Sequence, residues 1–544
     1  MENNSKINSM DIAILATILL SVTFIFIREL ILKPSEDGTE FAQAAWLIAH
    51  GKILYRDFFQ NHSPWYLFLI YSVFDTNSNF FLLKLSLLHW FAALFGAFIF
   101  SRIIWLEAAS DDPPIRRRSA FIAFLLFLTF YRAFVDEVVR PETLSVAALV
   151  IAGLCGKRMQ GAGRVSRWIL AIGFALSLGL SVCFTPRATI LAAAVVVWIA
   201  WENRGPGSWV RMAVAMAGSA AFLLAIVAPF VSFPDVYRWV IVFNGQMPIL
   251  HPLGRYTLAI PSRYFAPAFA MTTIIVTTRA TLLIFGRKLN KFQNSFIMLQ
   301  DINEDSRLKS IEICLFLSWI FLYADRRWVL YSFDFIALMG ISWLSIVGIH
   351  ASRRLSQGPR VTRMVTATGF LALALLWNTP NSLLGGVLHH RQSTPELQVL
   401  NGINLLHLGG YLRTLADVGR PEPEPISIDM LEPTLEARVS LAGWLRWSKR
   451  VCAVADGQTA LFFSARPVCL QDPSYYWVRW PGLPTSDWAA DIRKARPVIV
   501  EKICPHIHCG TIDPIESPDD GYVDAGWAWI RRDLAQRLAP APGK

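Results

Sequence analysis

The chain of 544 residues is 54% hydrophobic and only 17% charged, against about 25% charged in a typical soluble domain. Repeated apolar runs of about 20 residues, each long enough to cross a bilayer, exclude an ordinary soluble protein and point to a polytopic membrane protein. The net charge of +11 does not argue for nucleic acid, because the basic residues gather in short loops and no recognition motif accompanies them.

Taken in chain order, spans are predicted over 11–30, 80–104, 119–132, 143–156, 167–185, 188–201, 211–232, 265–285, 310–324, 328–350 and 363–378. Eleven spans with a cytoplasmic N-terminus put the basic clusters on one side, as the positive-inside rule requires. Those clusters are Arg116-Arg117-Arg118, Lys157-Arg158 with Arg164 and Arg167, Arg287-Lys288 with Lys291, and Arg353-Arg354 with Arg360 and Arg363. The same topology places residues 35–64, the Tyr131–Glu142 loop, the Phe233–Tyr264 loop and the tail outside. The first span has no small-residue cleavage site and is followed by further spans, so it reads as retained.

Residues 1–378 thus form a helical membrane domain, and 379–544 change character, with GRPEPEP replacing long apolar runs. A helix-like Thr394–Leu415 precedes strand-like VCAVA (451–455) and ALFFSA (460–465). A helical DWAADIRKA then leads into the strand RPVIVEKI. Roughly 165 residues suffice for one small α/β domain.

Cys155, Cys183 and Cys314 fall in spans, while Cys452, Cys469, Cys504 and Cys509 all fall in the tail. An even number there suits an oxidising compartment, with 452–469 and 504–509 as the pairing by proximity. CPHIHC (504–509) also offers two cysteines and two histidines, a set that could hold a metal.

Most of the chemistry lies in SEDGTEFAQAAWLIAHGKILYRDFFQNHSP (35–64). Asp37 and Glu40 open a short amphipathic helix, where acids in the first turn could simply complement the dipole. KILYRDFF follows, and Pro64 could restart a helix. Two interfacial helices on the outer surface would account for the pattern structurally.

This stretch resembles the first extracytoplasmic loop of the GT-C superfamily of membrane glycosyltransferases. Its likeness is to the bacterial branch related to protein O-mannosyltransferases and the aminoarabinose transferase of lipid A. Asp37, Glu40, Ala44-Ala45, Gly51, Tyr55-Arg56-Asp57-Phe58-Phe59 and Pro64 stand in the family's order and at similar spacing. The family often carries Asp-Glu where this chain has Asp37-Gly38, so the second acid is either missing or replaced by Glu40. DEVVRPETLS (136–145) resembles the second acidic loop, CFTPRATIL (183–191) the outer turn between the fifth and sixth spans, and DRRWVLYSFDFIAL (325–338) the late loop.

The resemblance implies transfer of a sugar from a polyprenyl-phosphate donor to an envelope acceptor (glycan, lipid or protein) on the outer face of a bacterial inner membrane. It makes Asp37, with Glu40, the catalytic pair that orients or deprotonates the acceptor. It sets Tyr55, Arg56, Asp57, His62, Arg140, Glu142, Arg187, Arg326, Arg327 and Tyr331 around the donor phosphate and substrate, where cations stabilise the departing charge. No cofactor is firmly implied. Some relatives use a divalent metal, which Asp37, Glu40 and Glu142 could hold.

Each residue also has a plainer reading. Outer-face arginines can snorkel to lipid headgroups, Arg140 and Glu142 can be a local ion pair at a helix start, and Asp136 and Glu137 can be solvated. His50 and His62 can sit at the interface, and Trp239 and Phe243 can anchor a helix there. The rival function is a transporter or flippase of lipid-linked sugars, which would place charges near the midplane and show related halves; neither is evident.

Overall fold

The computed structural model describes residues 36–76 (59 and 61 apart), 81–108, 111–134, 140–202, 207–243 and 333–357, with short pieces of 272–316 and 496–533. Two compact units divide the chain. One holds residues 1–27, 89–224 and 249–402; the other holds 28–88, 225–248 and 403–544.

The described part is overwhelmingly helical. In chain order the helices are α1 (Glu36–Ala49), α2 (Pro64–Val73), α3 (Phe81–Glu107), α4 (Pro113–Phe134), α5 (Pro141–Arg158), α6 (Arg164–Phe184), α7 (Thr189–Glu202), α8 (Ser208–Val227), α9 (Phe233–Val236) and α10 (Phe333–Gln357). Helices α3, α6 and α8 each contain a stretch long and apolar enough to cross a membrane. Their surfaces explain why. Phe91, Phe95 and Phe98 are exposed along one face of α3 while Phe100, Ile103 and Ile104 are buried on another. A helix apolar all round suits hydrocarbon rather than water. These helices make the protein a membrane-embedded helical one; the predicted spans 11–30 and 363–378 lie outside the described residues.

Two of the short predicted spans are longer as helices, while the span at 188–201 keeps its length as Thr189–Glu202. The span at 119–132 becomes Pro113–Phe134, because the arginines at 116–118 continue the helix and Arg116 lies over the Trp105 ring at 4.8 Å. The span at 143–156 becomes Pro141–Arg158. Arg140 is its extended N-cap and Pro141 its first residue, where a missing N–H costs nothing. Glu142 in the first turn and Lys157 and Arg158 in the last complement the helix dipole.

In the first unit α5 packs along α6 and α4 along α10. The α5–α7 crossing depends on small residues: a Cβ on Gly156 would lie 2.6 Å from Ile199 side-chain atoms. Such close approach is how membrane helices gain van der Waals contact. An apolar cleft of about 160 Å³ opens among α3, α5, α7 and α10, lined by Phe100, Leu149, Trp198 and Met339, with Glu107 and Arg307 at one end.

That end carries a buried charge network. Glu107 pairs with Lys157 (2.7 Å) and Arg307 (3.0 Å). Arg307 also binds Asp305, whose Oδ2 lies 2.9 Å from His350 Nε2, and Arg353 binds Asp111 at 2.7 Å. Burial alone would raise the Asp305 carboxyl, but hydrogen bonds from His350 and Arg307 outweigh it and hold it well below the usual range.

In the second unit α1 packs on α2. The tail contributes a three-stranded antiparallel sheet, β1 (Ile499–Glu501), β2 (Tyr522–Asp524) and β3 (Ala528–Arg531), in the order β1-β3-β2. Ile530 faces Ile499 on one side and Val523 on the other. The strand expected in RPVIVEKI is therefore present. The other predicted tail elements, and Cys452, Cys469, Cys504 and Cys509, lie outside the described residues.

Candidate functional site

The expected site residues fall into two groups, one in each unit. Asp37 and Glu40 stand three apart near the start of α1, so they share a helix face; their side chains lie outside the described residues. The helix itself is more buried than an interfacial helix would be, with Phe41, Ala42, Ala45 and Leu47 all nearly inaccessible. It ends in a Schellman turn: Gly51 has φ +79°, Lys52 N–H donates to Leu47 O and Gly51 N–H to Ile48 O. His50 belongs to this cap, its Nδ1 2.8 Å from Trp46 O and its ring stacked on Trp46.

The Tyr-Arg-Asp triplet then makes a tight loop. Leu54 bridges to Phe58, and Tyr55 sits at φ 67°, a left-handed conformation that is rare for a bulky residue. The Tyr55 ring is buried, and its hydroxyl donates to His62 O at 2.7 Å. Burial pushes its phenol well up, so it stays a donor. Asp57 accepts from Ile53 N–H at 2.8 Å and from Arg56 at 2.9 Å. Those two bonds, the Arg56 one first, lower the Asp57 carboxyl. Arg56 is largely exposed. His62 packs edge-on against Phe41, and its Nδ1 lies 2.7 Å from Gln60 Oε1. The triplet is thus a structural clamp with one exposed guanidinium.

In the other unit, Arg140, Glu142 and Arg187 come together. Arg140 Nε lies 3.5 Å from Glu142 Oε2, and Arg187 Nη1 lies 3.3 Å from Oε1. The Glu142 side chain is 3% exposed, that of Arg140 5% and that of Arg187 34%. Arg187 is delivered by a 3₁₀ turn, Pro186–Ala188, that follows α6. One turn along α5 from Glu142, Ser145 Oγ lies 2.9 Å from Ser181 O and 2.7 Å from Ser181 Oγ.

Arg326, Arg327, Tyr331, Asp136 and Glu137 lie outside the described residues. Trp239 sits in the π-helical turn Tyr237–Phe243 after α9, with Arg238 over its ring at 5.0 Å. Sequence reasoning missed the Ser145–Ser181 pair and the Glu107–Lys157–Arg307–Asp305–His350 network. Two serines within apolar spans were a signal for the first; nothing in the sequence joined the second, whose members are up to 243 positions apart. Among the described residues no group of three or more metal-ligating side chains is assembled. The sequence matches no family model, and a search of curated proteins returns no relative.

Proposed function

We propose that this protein is an integral-membrane glycosyltransferase that moves a sugar from a polyprenyl-phosphate donor to an envelope acceptor on the extracytoplasmic side. The observation that carries the reading is the pairing of Arg140 and Arg187 with one buried carboxylate at the head of an apolar helix. The Arg187 guanidinium, 34% exposed and backed by the buried Glu142–Arg140 pair, suits a phosphate held at the membrane boundary. The loop resemblance supplies the rest: Asp37 orients or deprotonates the acceptor hydroxyl. That oxygen attacks the anomeric carbon, the bond from that carbon to the phosphate oxygen breaks, and polyprenyl phosphate leaves. Arginines near the leaving group offset its charge. The apolar cleft reaches Leu149, about 10 Å along α5 from Glu142 at 1.5 Å per residue, a setting compatible with a hydrocarbon chain.

The rival, a transporter or flippase of lipid-linked sugars, draws support from the second charged network at the opposite end of α5. Its acids and bases are matched to one another, as in a structural clasp, and this favours the transferase reading.

The test is mass spectrometry of envelope glycans and lipid-linked sugars, with Asp37→Asn expressed at wild-type level. The expected outcome is a glycan lacking one sugar while its polyprenyl donor accumulates. Unchanged glycans in Asp37→Asn, alongside a loss in the full deletion, would reject catalysis by Asp37 and leave the transporter standing.

A further inference from the structure

We infer that Glu142 is a positioning residue: a buried carboxylate that holds the Arg140 and Arg187 guanidiniums in place, in a register set by the Ser145–Ser181 pair. The inference rests on the reading of Arg187, the exposed member of the group, as a phosphate ligand, with Arg140 a buried brace on the other carboxylate oxygen. Glu142 had two other conceivable roles, contacting substrate or holding a metal. Its geometry favours neither. At 3% exposure the side chain is not presented to an incoming acceptor, and its two oxygens face two different guanidiniums. Arg187, by contrast, is 34% exposed, so the carboxylate grips an arginine that still reaches the surface.

The chain separation between Glu142 and Arg187 is 45 residues, so their meeting depends on how α5 lies against α6. Here the serines act. Ser145 and Ser181 are both fully buried in that interface. Ser145 O–H donates to the Ser181 carbonyl, and the Ser181 hydroxyl can donate back to Ser145 Oγ. If the helices slip, each hydroxyl falls back on a carbonyl of its own helix, as Ser342 does on Leu338 O. The interhelical bonds are then lost, so the pair favours one register. A slip of one turn would carry Arg187 about 5.4 Å along the helix axis, out of reach of Glu142. The sequence places the lock three residues from the carboxylate and six from the arginine, close enough for its register to govern theirs.

A positioning carboxylate and a merely adjacent one predict opposite signs. An anion beside a phosphate site repels the ligand, so neutralising it should tighten binding. A carboxylate that organises the cations should weaken binding when neutralised. The full-length protein in zwitterionic nanodiscs is titrated with inorganic phosphate and with geranylgeranyl phosphate, affinity being read at fixed folded fraction. Geranylgeranyl phosphate binding without inorganic phosphate binding assigns the site to a lipid headgroup; equal affinities assign it to the phosphate alone.

In the expected result Arg187→Ala abolishes binding, Glu142→Gln weakens it about tenfold and Glu142→Asp weakens it less. Ser145→Ala, which leaves all three charges, weakens it about threefold. Unchanged or tighter binding in Glu142→Gln overturns the inference while leaving the phosphate reading intact. Wild-type protein that binds neither probe in an Arg187-dependent way overturns both. If Glu142→Gln does not fold, Glu142→Asp and Ser145→Ala decide, and wild-type affinity in both overturns the inference.

Discussion

Tyr55 is the residue that most clearly exchanges local strain for a tertiary contact. Its left-handed backbone is unfavourable for an aromatic residue, and the buried ring and the bond to His62 O compensate. Tyr55→Phe keeps the ring and removes only the donor, leaving the His62 carbonyl without it. A loss of about 1 kcal/mol is expected in thermal or denaturant unfolding of the detergent-solubilised protein. The two lowered carboxyls give a pH prediction of defined sign. Asp57 and Asp305 each have a folded-state pKa below the unfolded one. Their contributions are therefore complete above the unfolded value, about 4, and are lost as pH falls through the folded value. Stability should be flat in these two groups from pH 7 to about 5 and should decline below about 4. Asp305→Asn should flatten that acid limb; an acid limb identical to wild type would show that Asp305 is not responsible for it.

At the scale of elements, the packing of α5 is set by its small residues. Gly156 lies where any side chain would collide with Ile199 of α7, and the neighbouring Gly153 has Ile103 at 3.4 Å. Gly156→Val is expected to destabilise by about 1–3 kcal/mol, as overpacking does. Combining it with Ile199→Ala should return part of that loss, because the two sites share one contact. Additive losses in the double-mutant cycle would remove Ile199 as the cause. The apolar run, predicted as 143–156, placed α5 within two residues at each end; Pro141 and Glu142 at its start and Lys157-Arg158 at its finish belong to the helix rather than to the loops. The 119–132 span was underestimated because hydropathy stops at Arg118, whereas the backbone continues wherever arginine side chains can reach water or an aromatic face.

For the whole molecule, the charge distribution yields a sidedness that can be measured. Lys52 and Gly163 are both exposed, and the predicted topology places them on opposite faces. A membrane-impermeant maleimide applied to intact spheroplasts should label Lys52→Cys above the level of the parent chain. Gly163→Cys should be labelled only after permeabilisation. Equal labelling of both in intact cells would refute the proposed orientation.

Apolar runs, basic loops and proline-opened helices were readable one residue after another, because hydrophobicity, charge and backbone restriction are local properties. So membrane class and the positions of most described helices followed from the sequence alone. The partnership of residues was not readable. Glu142 meeting Arg187, Ser145 meeting Ser181, and Glu107 joined to Lys157 and Arg307 all depend on the relative register of separate helices. Register is decided by side-chain packing between surfaces that the sequence presents far apart, such as Gly156 against Ile199, and only the folded bundle brings those surfaces together.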